Sequence, residues 1–314
     1  MEPVVGISAC LVGQTVRFDG GHKRLSFAMD QLGQHVRFRP ACPEMAAGLG
    51  SPRPAIRQLA TADGIRLRHS HGEPIDVTDA LAEASERIVD HCADLSGFIV
   101  CHNSPTCGME RVKIYGDSGM ATKDGVGLFT ARLMARYPWL PVEESGRLND
   151  PLLRENFVMR VFALARWRLL TSQLPLPRAM VVFHSSYKLV LMAQASAAYR
   201  ELGPLVAEAG RAASEPALAD RYLELMMAAL KQIAGRAHHA NVLAHIQGYF
   251  KRDLAPEDRQ ELAAAIAEYR QGLLPLLAPL TLIRHHLRRH PKPYLSTQAY
   301  FDPYPADMRL RQPL

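Results

Sequence analysis

The chain has 314 residues, of which 48% are apolar, and its formal net charge is +6. This length is sufficient for two domains with hydrophobic cores, and no uninterrupted apolar run of about 18 residues is present to span a bilayer. Residues 1–150 carry 16 basic and 18 acidic side chains, whereas residues 151–314 carry 21 and 13. The composition therefore predicts a soluble protein with no membrane partner, whose second half binds a polyanion such as nucleic acid.

Strand and helix signals alternate along the first half. This alternation is typical of βαβ units, so we predict an α/β domain with a mostly parallel sheet. A glycine-containing stretch, 116–127, is predicted to be a loop. The predicted strands cover 4–9, 36–38, 65–68, 98–101 and 140–144, and the predicted helices cover 25–32, 79–93 and 127–136.

A stretch with three prolines, 138–151, loses this periodicity and is interpreted as the joint between domains. We therefore predict two domains, 1–148 and 149–314, the second being all-α. The tail 294–305 is too rich in proline for a long helix. The predicted helices of the second domain cover 152–170, 185–201, 216–235, 237–252 and 256–289, the last one broken near Pro275 and Pro279.

Three of the five cysteines, Cys10, Cys42 and Cys107, each follow a strand-like run. Because the carboxyl ends of parallel strands open into one crevice, we expect these thiols to meet there. Three thiolates without a fourth are typical of a metal or cluster site with one open, reactive position. Cys92 and Cys101 are interpreted as buried structural thiols. An odd number of cysteines and no secretory leader favour reduced thiols and a cytoplasmic location.

Polar side chains lie near two of these cysteines, on turns that proline makes rigid. Glu44 follows Cys42 by two positions and is a candidate general acid or base. Ser104 precedes Cys107 by three positions and is a candidate hydrogen-bond donor or nucleophile. The alternative interpretations are that Glu44 caps the next helix and that Ser104 satisfies a turn.

The basic residues of the second half include a dense run over 284–292, which contains Arg288 and Arg289. If these side chains share a face, they can follow a phosphate backbone. The run also contains the adjacent histidines His285 and His286. Neighbouring helical residues point about 100° apart, so such a pair cannot chelate one metal.

Several motifs carry a resemblance to known families. Those of the first half are SACLVG at 8–13, VRFDG at 16–20, CPE at 42–44, GL at 48–49, PR at 52–53 and SPTCG at 104–108. Those of the second half are FHSSYK at 183–188, NVLAH at 241–245, GYFK at 248–251 and QAYFDPYP at 298–305. With these motifs the first half resembles the TudS family of thiouracil desulfidases, and the second half resembles the YbgA-type domain. Together they resemble the fused RudS-type proteins, which are tRNA 4-thiouridine desulfidases.

The resemblance implies a 4Fe-4S cluster held by Cys10, Cys42 and Cys107, with the fourth iron open to the sulfur of a thiocarbonyl. It also implies that Glu44 is the catalytic carboxylate and Ser104 the catalytic serine. The implied reaction is hydrolysis of 4-thiouridine in tRNA to uridine and sulfide. The position before the third cysteine, often Ser or Cys in the family, is Thr106 here.

Three alternatives stay open at this level. The enzyme could act on free 2-thiouracil or another thiobase instead of tRNA. The protein could be a cluster-bearing RNA-binding sensor without catalytic activity. Zinc could occupy the cysteine site, although a soft iron–sulfur centre better explains selection of sulfur over oxygen.

Overall fold

The computed structural model describes residues 2–116, 118–209 and 216–311. The chain divides into two compact units, Met1–Phe157 and Val158–Leu314. In the described ranges, no helix is both long enough and apolar enough to cross a membrane.

Two four-stranded sheets are found in the described part of the first unit. Their strands are β1 (Val4–Ser8), β2 (Arg37–Ala41), β3 (Ile56–Thr61), β4 (Gly64–His69), β5 (Gly97–Val100), β6 (Val112–Tyr115), β7 (Ala121–Gly125) and β8 (Val142–Glu144). One sheet has the order β2-β1-β5-β8, and all its neighbouring strands are parallel. The other has the order β4-β3-β6-β7, with β3 parallel to β6 and an antiparallel pair on each side.

The α/β prediction with a mostly parallel sheet is confirmed, and the central strands show why it succeeded. Strand β1 buries Val5 and Ile7, and strand β5 buries Phe98 and Ile99. Continuous apolar runs of this kind are typical of parallel strands covered on both faces. Gly6 lies in β1 and pairs with Phe98 of β5, so an added Cβ would come within 2.2 Å of the Phe98 ring.

The second, mixed sheet was not predicted. Its β7 strand lies within the stretch 116–127, which was predicted to be a loop, and residues 121–124 of this strand are exposed. Without a buried face there is no apolar alternation to detect, and pairing with β6 supplies the stabilisation instead. In β3, a buried polar side chain interrupts the pattern: Gln58 donates to the carbonyls of Pro105 and Val126 at 2.9 and 2.8 Å.

The helices of the first unit are α1 (Pro43–Ala46), α2 (Thr78–Asp90) and α3 (Leu128–Arg136). Residues 25–32, predicted to be a helix, instead contain one π-helical turn at Phe27–Gln31, followed by a 3-10 turn at Leu32–Gln34.

The second unit is mostly helical, as predicted. Its helices are α4 (Pro151–Gln173), which begins in the first unit, then α5 (Leu176–Gln194), α6 (Ser196–Ala209), α7 (Pro216–Leu230), α8 (Arg236–Gly248), α9 (Pro256–Gln271), α10 (Leu277–Arg289) and α11 (Pro293–Ser296).

Two helix boundaries in this unit have identifiable causes. The predicted helix 185–201 is divided at Ala195, whose extended φ of −151° ends α5. The predicted break near Pro275 is present, because α9 ends at Gly272 in the left-handed conformation. Pro279 does not break α10, since it lies in the first turn, where its missing N–H has no helical partner to lose.

Candidate active site

The register of the parallel sheet brings the predicted cysteines to one edge. Ser8 pairs with Ala41, so Cys10 and Cys42 follow neighbouring strands at the same level. Strand β5 pairs with the other side of β1. The segment after β5 carries Cys107.

A cavity of about 250 Å³ opens at this edge of the sheet. All five predicted site residues line this cavity: Cys10, Cys42, Glu44, Ser104 and Cys107. All five cysteines of the chain are free thiols.

Ser104 organises the turn that carries Cys107. Its Oγ accepts hydrogen bonds from the backbone N–H groups of Thr106 and Cys107, at 3.3 and 3.1 Å. The Cys107 carbonyl in turn accepts a 2.6 Å bond from the Thr130 hydroxyl at the start of α3. Ser104 therefore satisfies a turn, as the structural alternative predicted, and it also lines the cavity. Because Oγ acts as an acceptor in both bonds, its proton is available to a substrate.

Glu44 lies in the first turn of α1, but its carboxylate is engaged away from that helix. The Arg53 guanidinium donates from Nε to Glu44 Oε2 at 3.0 Å, and Nη2 contacts the same oxygen. The Arg53 and Glu44 side chains are only 4% and 13% exposed. Arg53 also donates to the carbonyls of Val16 and Gly50. Glu44 is therefore fixed in place by Arg53, and it does not act as a helix cap.

The thiols lie in surroundings that disfavour their free ionised forms. Burial raises the pKa of Cys42, and burial together with the Glu44 charge raises the pKa of Cys107. A hydrogen bond with Cys101, and then burial, raise the pKa of Cys10. Ionising three such thiols together requires a cationic centre between them, which a metal centre supplies.

No three His, Cys, Asp or Glu side chains in the described ranges are placed to hold a single metal ion. The three thiols instead surround the cavity. Iron–sulfur clusters bind through cysteine thiolates and are wider than one ion. Three cysteines on one cavity are a donor set of the kind that holds such a cluster.

Cys101 and His102 are among the residues of this site that sequence reasoning did not assign to it, and both line the cavity. Cys101 is buried, as predicted, yet its thiol is near enough to Cys10 to raise the pKa of that residue. Its place directly after β5 was the available signal, because the same rule had selected Cys10. His102 Nδ1 lies 2.8 Å from Ser145 Oγ. Burial, and then the charges of Lys23 and Arg17, lower the pKa of His102.

The segment after Cys10 forms another wall of the cavity. Arg17 forms an ion pair with Asp19 at 3.1 Å, and its guanidinium lies 5.3 Å from the Phe18 ring centre. Phe18 lines the cavity and is 44% exposed. An exposed ring beside a cavity offers a stacking surface for a planar heterocycle.

The fold and the site define the first unit as an α/β domain with a thiol-lined cavity at the carboxyl edge of a parallel sheet. Comparisons with known proteins agree with this class. Residues 5–145 match the family model described as 2-thiouracil desulfurase, and residues 188–305 match the model described as protein of unknown function DUF1722.

Two individual proteins are similar to this chain. The chain is 37% identical over 164 residues to "Uncharacterized protein YbgA" of Escherichia coli (strain K12), covering 52% of this chain and 97% of that protein. It is 29% identical to a solved structure described as 4Fe-4S-dependent thiouracil desulfidase TudS, covering 48% of this chain and 95% of that one, with a TM-score of 0.39. The chain therefore belongs to the YbgA family, and its first half matches the 2-thiouracil desulfurase model, which confirms the resemblance of the two halves to these two families.

Proposed function

We propose that this protein is an iron–sulfur-dependent desulfidase that hydrolyses the thiocarbonyl of 4-thiouridine in tRNA. The observation that carries the proposal is the meeting of Cys10, Cys42, Cys107, Glu44 and Ser104 on one cavity of a desulfurase-family domain. The TudS neighbour is described as 4Fe-4S-dependent, and this donor set suits the same cofactor. All five thiols are free, so we also propose a reducing, cytoplasmic location.

Cys10, Cys42 and Cys107 would hold the 4Fe-4S cluster. When bound, it supplies a soft Lewis acid that prefers sulfur to oxygen and polarises the carbon–sulfur bond. Side chains of the protein would activate the water and position the base.

Glu44 would act as the general base. Both bonds from Arg53 go to Oε2, so Oε1 has no hydrogen bond from the described residues and is available to take a proton from water. The water oxygen forms a bond to the pyrimidine carbon, and the carbon–sulfur bond breaks. The thiocarbonyl and water become a carbonyl and hydrogen sulfide, so the atoms balance and no external electrons are needed.

Ser104 and Phe18 would position the substrate. The Ser104 hydroxyl donates to the pyrimidine while its oxygen keeps the Cys107 turn in shape. The exposed Phe18 ring stacks on the base at the cavity wall. A base stacked inside tRNA must be exposed or flipped to reach the cavity.

The helical unit would bind the tRNA. Arg288 and Arg289 are exposed at the end of α10, and neither forms an ion pair with another described residue. Exposed, unpaired arginines can neutralise backbone phosphates.

The test is anaerobic purification and cluster reconstitution, followed by incubation with tRNA that contains 4-thiouridine. The loss of thiocarbonyl absorbance and the release of sulfide are followed together. Matching loss and release would support the proposal. A brown protein that binds this tRNA and leaves its sulfur in place would contradict it and favour the sensor. Turnover of free 2-thiouracil but not of tRNA would instead favour the free-base desulfidase that the family name suggests.

A further inference from the structure

A second cavity, of about 580 Å³, lies over the mixed sheet of the first unit. The charged side chains that line it are all basic among the described residues: Arg57, Arg111, Lys113 and Lys123, together with His71. We call this cavity the basic cleft. It adjoins the active-site cavity, because Ile56, Asn103 and Pro105 line both.

The cationic groups of the basic cleft are poorly compensated by the described part of the protein. The Nε atom of Arg57 is buried and has no hydrogen-bond partner, although most buried polar groups have one. Lys113 and Lys123 are exposed on the paired strands β6 and β7 and form no ion pair with a described residue. Arg111 has Glu110 at 3.7 Å and is 78% exposed.

Aromatic and backbone geometry hold this arrangement in place. The Arg57 guanidinium lies over the Tyr115 ring, 5.2 Å from the ring centre. This contact holds the guanidinium against the cleft wall. Asn103 and Arg111 both have left-handed backbone conformations, with φ of 58° and 55°. Residues with a side chain rarely adopt this conformation, and such residues cluster at functional sites.

We propose that the basic cleft binds backbone phosphates of the RNA nucleotides next to the thiolated base. This inference rests on the proposed function, because it takes the base to occupy the active-site cavity. With the base there, the shared wall at Asn103 and Pro105 brings the flanking nucleotides over the cleft. Four cationic side chains, with no carboxylate among the described lining residues, suit phosphodiester groups, and Tyr115 offers a ring beside them. The desulfurase domain itself then distinguishes RNA from a free base.

The test compares two double variants with the same change in charge. Lys113→Glu/Lys123→Glu changes the basic cleft. Arg132→Glu/Arg136→Glu is the control on α3, where these arginines face Glu86 and Asp90 outside the cleft. Affinity for tRNA is measured over a range of salt concentrations with the cluster-loaded full chain, alongside turnover of free 2-thiouracil. Lys113→Gln/Lys123→Gln repeats the measurement without introducing new acids.

We expect the cleft variant to weaken tRNA binding about tenfold and to reduce the slope of log K against log salt by about 1.4, as for two lost single-strand phosphate contacts. Turnover of free 2-thiouracil should be unchanged, and the control should match the wild type. Wild-type affinity and slope in both cleft variants would overturn the inference. Binding of 4-thiouridine monophosphate is measured on the same variants. If the cleft variants bind this nucleotide more weakly but bind tRNA as the wild type does, the inference is also overturned, because the cleft would then serve a free nucleotide. Cleft-dependent tRNA binding without sulfur removal would support the cleft while contradicting the proposed function.

Discussion

Arg53 contacts a single oxygen of Glu44 with two of its guanidinium nitrogens, inside a pair that is almost completely buried. This leaves the two carboxylate oxygens unequal: Oε2 is committed to Arg53, and Oε1 has no described partner. A carboxylate held in this way has a fixed orientation before substrate arrives. Pre-positioning of a catalytic group lowers the cost of reaching the transition state.

Glu44→Gln tests the role of the carboxylate. The amide oxygen still accepts from Arg53, so we expect the fold and the iron content to be retained, whereas turnover falls at least about 100-fold because the base is lost. Iron content, visible absorbance and initial rate of sulfide release are measured on the same sample. A variant that keeps more than a tenth of wild-type activity would show that Glu44 is not the base.

Glu44→Ala separates the structural contribution of the ion pair from its chemistry. It leaves the Arg53 guanidinium buried without its carboxylate, a change that typically costs about 3 kcal/mol. The carbonyls of Val16 and Gly50 compensate in part. We expect a lower urea midpoint for Glu44→Ala than for Glu44→Gln. Equal midpoints of the two variants would mean that the hydrogen bond kept by glutamine adds no stability, and a wild-type midpoint in Glu44→Ala would mean that the pair contributes nothing.

The cysteines differ in their expected roles. Cys10→Ala, Cys42→Ala and Cys107→Ala should each fail to retain the cluster after anaerobic reconstitution, measured as iron and sulfide per chain. Cys92→Ala is the control, because Cys92 is buried but does not line the cavity.

Cys101→Ala is the most informative member of the series, since the Cys101 thiol lines the same cavity and raises the pKa of Cys10. We expect it to keep the cluster, because the proposal needs one position without a protein ligand. A loss of iron as complete as that of Cys10→Ala would indicate four protein ligands. A closed ligand set of this kind is typical of electron carriers and would contradict hydrolysis at an open position.

Ser104→Ala removes the acceptor of two backbone N–H groups next to Cys107. Lost hydrogen bonds of this type cost about 1 kcal/mol each. We expect both lower stability and lower turnover per cluster, while Ser104→Thr, which keeps a hydroxyl, should retain part of each. Anaerobic urea unfolding and the rate per bound cluster provide the two measurements. If Ser104→Ala keeps the wild-type turnover per cluster, Ser104 only stabilises the turn and takes no part in the reaction.

Arg288→Glu/Arg289→Glu tests the helical unit. Both side chains are exposed, so stability should not change. We expect weaker tRNA binding with a smaller salt dependence, and unchanged turnover of free 2-thiouracil. Affinity titrations and free-base kinetics are run on the same preparation. An equal loss of tRNA binding and of 2-thiouracil turnover would contradict the assignment of RNA binding to the helical unit and of catalysis to the first unit.

His239 makes the stability of the chain depend on pH. Its Nδ1 lies 2.8 Å from the Tyr300 hydroxyl, and burial, followed by the charges of Arg311 and His238, lowers its pKa to about 4. In the unfolded chain a histidine has a pKa of about 6.5. Between these values the unfolded state binds the extra proton, so stability falls as the pH drops from about 6.5 to 4, by at most about 3 kcal/mol.

Urea titrations of the full chain at pH 7, 5.5 and 4.5 measure this loss. His239→Gln should be less sensitive to acid than the wild type. His245→Gln is the control, since His245 is exposed, and it should follow the wild type. Identical acid sensitivity of His239→Gln and the wild type would contradict the assignment.

The buried strands and the cysteines that follow them were predictable because their causes are local. A continuous apolar run such as 97–100 is typical of a strand covered on both faces, and a cysteine after such a run lies at the carboxyl edge. By contrast, β7 has almost no buried face, and β3 places Gln58 in its interior. Their positions depend on partners distant in the chain, which a local pattern does not reveal.

By itself, the sequence determined the α/β class, the helical second unit and the five residues that surround the cavity, since strand ends and turn residues act over short distances. Only the tertiary structure decided that Arg53 fixes Glu44, that Cys101 lines the same cavity as Cys10, and that four cations of a nearly neutral first half line one cleft. Net charge sums over the chain, whereas an electrostatic surface depends on which side chains the fold places side by side.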